Sequence, residues 1–367
     1  MRYILQIYTG SLAHCACIAA QATARVARCL ERLDVTDVIY GWTAQRAVHD
    51  ALSELLVRRR VRQHLWLPVF SEIQRADAMP FVRADGRADS GLAACAGEDF
   101  RFVCPSAPEN LAAALDAFSV LAADLPLDGV FIDRIRYPSA AHGFSALLGC
   151  QCARCQASYQ AAGVDVARIL AMPPDALMPT ALDERRYRFA SQDAEALLAV
   201  KCAIITQAVQ RLCAHFHAKG LAVGLDAFAP LLAAFVGQDV CALGKLVDYI
   251  KPMMYRRTHA PAGLPFEVDA LARAVGGAVG GRLAELWGGD ALSDAVNVRQ
   301  MARLQAACGH VYPGIEINPI ADICHSTPSY VRESIAQAQA AGCARVVLSW
   351  DVLQMPDDML AALASSA

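Results

Sequence analysis

Short apolar runs alternate with longer amphipathic segments along most of this chain. Residues 3–8, 37–42, 65–70, 129–133, 221–225, 246–254, 310–317 and 345–349 are apolar along nearly their whole length. That is the pattern of strands buried on both faces of a parallel sheet. Between them, apolar positions recur at helical spacing. Leu52, Leu55 and Leu56 mark a helix over 44–60, and Leu111, Leu115, Phe118 and Leu121 mark one over 108–124 that opens at Pro108. Leu197, Ile204, Ile205, Val209, Leu212 and Phe216 predict a long helix over 184–219, closed by Gly220. Further helices are expected over 11–32, 231–243, 266–275, 293–308 and 327–341. Eight strands and about eight helices in alternation predict an α/β fold, a (β/α)8 TIM barrel forming a single domain over 1–367.

The alternation breaks twice. A polar, glycine-containing stretch runs from Glu72 to about Phe100, with a short strand expected over 100–104. Residues 139–183, with Pro173-Pro174 and a cysteine cluster, read as an insertion on the barrel rim between the fourth and fifth strands.

Composition narrows the partners. Of 367 residues, 33 are basic and 36 acidic in mixed order, which excludes a nucleic-acid footprint. Arg58-Arg59-Arg60 is the densest basic run and reads as a solvated helix end. Mean hydropathy is +0.31, yet no uninterrupted apolar run nears the ~20 residues of a membrane span. The first residues lack a signal-peptide pattern and most cysteines fall in apolar helical positions, so a cytoplasmic, reducing location is expected, although a chain trimmed of a leader would look the same.

The chemistry is concentrated at the carboxyl ends of the predicted strands, which converge on one mouth in a barrel. Four of the later ends carry carboxylates: Asp133, Asp226, Glu316 and Asp351. Any one of them is as readily a cap or an ion-pair partner. Together they suit glycoside hydrolysis, in which one carboxyl protonates the leaving oxygen while another attacks or activates water. Asp133, beside Arg134 and Arg136, is expected to be the essential carboxylate, with Glu316 or Asp226 as its partner and Asp351 orienting substrate. Glu316, flanked by Ile315 and Ile317, suits the acid. Trp42, Tyr137, Tyr255 and Trp350 are placed to stack on sugar rings or to fill the core. Glu72, Arg136 and Asn318 add polar groups for substrate, and Lys251 either contacts substrate or pairs with a carboxylate.

Cys150-Gln-Cys152-Ala-Arg-Cys155 offers three thiolates to a structural zinc, with Cys104, His142 or Cys95 as the fourth ligand; the alternative is three free thiols. His14-Cys15-Ala-Cys17 reads as helix packing. No organic cofactor is expected.

The run Asp128-Gly-Val-Phe-Ile-Asp133-Arg-Ile-Arg136-Tyr137-Pro138 resembles the fourth-strand motif Asp-Gly-x-x-x-Asp-x-x-Arg-Tyr-Pro of bacterial glycosyl-hydrolase-like TIM barrels. The cysteine cluster that follows, and Lys251-Pro-Met-x-Tyr255, are similar to patterns in the same group. Arg134 departs from it, an aromatic being more usual there. The resemblance covers residues 65–351 and implies carbohydrate chemistry centred on Asp133. Two rival readings stand beside a glycoside hydrolase: a Schiff-base lyase or aldolase using Lys251, and a saccharide-binding barrel without turnover.

Overall fold

The computed structural model describes residues 1–9, 18–42, 46–72, 75–92, 98, 100–183 and 186–365. In chain order its strands are β1 (Arg2–Tyr8), β2 (Val35–Gly41), β3 (Arg62–Pro68), β4 (Gly129–Asp133), β5 (Pro179–Asp183), β6 (Arg186–Phe189), β7 (Ala222–Phe228), β8 (Tyr249–Met253), β9 (Gly314–Glu316) and β10 (Arg345–Ser349). Eight of them close a barrel in the order β1-β10-β9-β8-β7-β4-β3-β2, and every pairing within it is parallel. The (β/α)8 barrel expected from the alternation is therefore present.

Each strand sends alternate residues outward and inward. Leu5, Val38, Leu65, Ile132 and Leu225 face out into the large core beneath the helices. Ile4, Ile39, Trp66, Phe131, Tyr249 and Val347 face in and form a separate plug. Glycines make room for the bulk inside. A Cβ on Gly224 would lie 2.2 Å from Tyr249 Cζ, and one on Gly314 would lie 2.6 Å from Lys251 Cε. The register then places the chemistry. Ile132 is opposite Leu225, so the next residues, Asp133 and Asp226, stand side by side and point inward. Asp226 is in turn opposite Lys251, and Pro68 opposite Asp133.

At the other end of the strands, buried Asp37 is held by Arg62 at 2.8 Å, His64 at 3.0 Å and Arg345 at 3.3 Å. Burial opposes its charge, but His64, Thr36 and Arg62 outweigh it and hold the carboxyl down at about 2.

Several boundaries differ from expectation for identifiable reasons. Residues 186–189 are strand, not helix: Arg186-Tyr-Arg-Phe189 alternates exposed and buried, and pairs antiparallel with β5 as a hairpin outside the barrel. The long helix begins only at Gln192, where the Ser191 side chain caps it, and runs to His217. By length and composition this helix could cross a membrane, but Leu197, Ile205, Val209, Leu212 and Phe216 are buried in the large core. The helix expected over 231–243 is broken into Pro230–Ala233, a 3-10 turn Ala234–Val236 and Val240–Leu243, because Gly237 adopts φ 78°. Residues 100–104 make isolated bridges, Ser71 with Phe102 and Pro80 with Val103, and not a strand. The first helix is seen over Ile18–Arg32; His14, Cys15, Cys17 and Cys95 lie outside the described residues.

Candidate active site

Asp133 ends β4 inside the mouth. Its Oδ2 accepts a hydrogen bond from Trp66 Nε1 at 3.0 Å, and its Oδ1 accepts one from the Arg134 backbone N–H. Both oxygens thus act as acceptors, the arrangement a carboxylate needs. Among the described contacts, the guanidiniums of Arg134 and Arg136 bond other groups. Arg134 pairs with Glu72 at 2.9 Å and with Glu98, its guanidinium lying 4.8 Å from the Trp42 ring centre and 3.8 Å from that of Phe100. Arg136 is buried 4.6 Å from Phe102 and 4.5 Å from Phe228 and donates to the Tyr137 carbonyl oxygen. Burial lowers its pKa to about 10. The charges of Asp133 and Asp226 act on it.

Asp226 stands next to Asp133 on β7. Lys251 Nζ holds its Oδ2 at 2.8 Å, while Oδ1 is buried with no hydrogen-bond partner among the described residues. Burial pushes its pKa up to about 7; Lys251 opposes the rise and the charge of Asp133 adds to it. An unpartnered oxygen on a carboxyl that titrates near neutrality is a place to keep a proton.

Lys251 donates to Asp226, to Tyr255 Oη at 2.7 Å and to Gln6 Oε1 at 3.0 Å. Gln6 Oε1 also accepts from Ser349 Oγ at 2.9 Å. All three ammonium donors are occupied. Burial would depress its pKa, but Asp226 and Tyr255 outweigh it and the net shift is upward. A Schiff-base lysine needs the opposite, a depressed pKa and a free lone pair. Borohydride reduction with aldehyde or ketone substrates is expected to leave Lys251 unmodified, as read by peptide mass. Lys251→Met should destabilise the fold by about 1–3 kcal/mol in urea unfolding, because Asp226 Oδ2, Tyr255 Oη and Gln6 Oε1 lose a buried donor.

Glu316 lies elsewhere on the rim. Its Oε1 accepts from the Arg257 backbone N–H and from Tyr330 Oη at 3.1 Å, and burial raises its pKa to about 8. These contacts are not shared with Asp133. Asp351 caps its own turn: Oδ1 accepts from Leu353 N–H at 3.1 Å and Oδ2 from Gln354 Nε2 at 2.9 Å, and burial raises its pKa to about 6. The capping alternative is what the structure shows at this position.

Two residues expected to contact substrate are buried and engaged by the protein itself. Asn318 is fully buried; its Oδ1 accepts from the Trp350 and Asp351 N–H groups and its Nδ2 donates to the Asp351 carbonyl, so it fixes the loop that carries Trp350. Tyr137 is also fully buried and packs on Phe81 and beneath Lys201 Nζ, outside the barrel. Tyrosine four residues after Asp133 has left the strand, so strand alternation no longer sets its direction.

The mouth is walled by aromatics. Tyr8, Trp42 and Trp66 form an edge-to-face cluster with centroids 4.9–6.1 Å apart, and Tyr255 lies 6.4 Å from Trp350. Trp42, Glu72 and Arg134 adopt φ of 87°, 61° and 51°, a left-handed backbone that costs about 1–3 kcal/mol for such residues and gathers at functional sites. Tyr8, Trp66, Gln6 and Glu98 were not singled out from the sequence. Trp66 was detectable, because it sits one inward step before the end of β3, opposite Phe131.

Solved structures place this geometry in context. The PgaB (BpsB) glycoside hydrolase domain from Bordetella bronchiseptica superposes with a TM-score of 0.62 at 14% identity, over 99% of this chain and 96% of that one. The fold is one that glycoside hydrolases use. Alpha-L-fucosidase isoenzyme 2 from Paenibacillus thiaminolyticus superposes with a TM-score of 0.58 at 10% identity, over 99% of this chain and 48% of that one. No family model and no curated protein matches the sequence. At such identities the likeness establishes architecture, and the chemistry rests on the residues themselves.

Proposed function

We propose that this chain hydrolyses glycosidic bonds at the barrel mouth, with Asp133 as the essential carboxylate and Asp226 as its partner. The observation that carries the reading is the side-by-side placement of two inward carboxyl groups in unlike environments. Asp133 accepts hydrogen bonds at both oxygens and faces the developing oxocarbenium charge, as nucleophile or stabiliser. Asp226, with its raised pKa and unpartnered Oδ1, holds the proton for the leaving oxygen. Lys251 and Gln6 keep Asp226 in place. Trp42 and Trp350, both partly exposed, offer apolar faces to sugar rings. Glycoside hydrolases among the structural neighbours support the substrate class.

The test is incubation with a panel of aryl glycosides and neutral and amino-sugar oligosaccharides, with products followed by mass and anomeric configuration by NMR. Release of reducing ends supports the proposal. Saturable binding without turnover of any member would favour a saccharide-binding barrel.

A further inference from the structure

The cysteine cluster is assembled from two distant parts of the chain. Cys150, Cys152 and Cys155 follow β4, whereas Cys104 arrives from the stretch between β3 and the helix Pro108–Leu121. His142 is not among the group: the ligand atoms that gather belong to the four cysteines alone among the described residues, and its Nδ1 bonds Asp89 at 2.8 Å. The four sulfurs lie within 4.8 Å of one another, and Cys104 Sγ is 3.5 Å from those of both Cys152 and Cys155. These separations exceed the about 2.05 Å of a disulfide. They match the roughly 3.8 Å between sulfurs arranged tetrahedrally about an ion with bonds of about 2.3 Å.

We propose that Cys104, Cys150, Cys152 and Cys155 bind one zinc ion as a closed structural site. Each thiol releases its proton to solvent as its sulfur bonds the ion, so four protons leave and the complex carries two negative charges. The surroundings supply donors for that charge. The Val82 N–H lies 3.4 Å from Cys150 Sγ, and Ser106 Oγ lies 3.1 Å from Cys155 Sγ. The Tyr137 hydroxyl is buried without a hydrogen-bond partner among the described residues. Tyr159 Oη bonds the Cys150 carbonyl at 3.0 Å, a contact that a side chain on Gly149 would block, its Cβ falling 2.4 Å from that oxygen.

The ion joins the segment that leads into Cys104 to the segment that follows Asp133. Phe100 and Phe102, just before Cys104, lie against Arg134 and Arg136. Tyr137 is on the run out of β4. Zinc therefore fixes one wall of the mouth, and because four protein ligands leave no open position, it takes no part in bond cleavage.

The test begins with elemental analysis of the full chain purified without chelator, which should give about one zinc per chain. Removal of the metal followed by cobalt(II) should produce the visible absorption of a tetrahedral thiolate site. Cys152→Ser, at the partly exposed ligand, should lose the metal, and Cys213→Ser should keep it. Should the first variant not fold, the cobalt spectrum of the wild-type chain decides. Iron in place of zinc overturns the assignment, as does a metal-free folded protein whose four thiols all react freely. Either result can occur with hydrolysis intact, so this inference and the proposed reaction fail separately.

Discussion

Asp133→Asn should lower turnover by about 10²-fold or more while changing substrate binding far less. The amide keeps the shape and one acceptor but cannot supply the negative charge that the oxocarbenium-like transition state requires. Asp226→Asn should behave differently, and the difference separates the two roles. On natural oligosaccharides, whose leaving oxygen must be protonated, its loss should match that of Asp133→Asn. On aryl glycosides with acidic phenols the leaving group needs little help, so Asp226→Asn should retain much of its rate while Asp133→Asn does not. The pH profile adds a third reading. With Asp226 raised to about 7, kcat/KM should decline above neutrality, and that limb should vanish in Asp226→Asn. If both variants keep near-normal rates on every substrate, these carboxyl groups do not carry the reaction.

The barrel was legible in the sequence because burial on both faces makes each strand uniformly apolar, and because register follows from where those runs stop. Asp133 and Asp226 were legible for the same reason, each standing near the end of such a run and facing inward, and Lys251 because a charge in the middle of an apolar run needs a partner. What strand position does not reveal is whether a carboxyl at the rim is already engaged. Asp351 and Asn318 are occupied by backbone groups of the last loop, and nothing in their neighbours in sequence distinguishes them from substrate-binding residues. The same limit applies to Arg134 and Arg136. Adjacent to Asp133 in sequence, they turn to Glu72, Glu98 and a set of aromatic faces contributed by other segments. The β5–β6 hairpin was missed because Tyr187 and Phe189 also fit the start of a long helical pattern, and only two alternations separate the readings.

Glu316→Gln should change how stability depends on pH more than it changes stability itself. The glutamine keeps an acceptor for the Arg257 N–H and Tyr330 but cannot ionise. In the folded chain burial raises the Glu316 carboxyl from its ordinary 4.5 to about 8. Between those values the folded state holds a proton that the unfolded chain has released, so the contribution of this group falls as pH rises and is flat beyond about 8. Asp226 and Asp351, raised to about 7 and 6, act in the same direction. His49, which burial lowers to about 4, acts oppositely below its ordinary 6.5, and Asp37 matters only in more acid solution. All four are common to both proteins, so the difference between wild type and variant isolates Glu316. Urea unfolding at pH 5, 6, 7 and 8 should show the wild type losing ground to Glu316→Gln by on the order of 1 kcal/mol per pH unit. A difference that stays constant from pH 5 to 8 would mean that Glu316 ionises in the folded protein as it does in water, and that its burial is relieved by contacts the described residues do not supply.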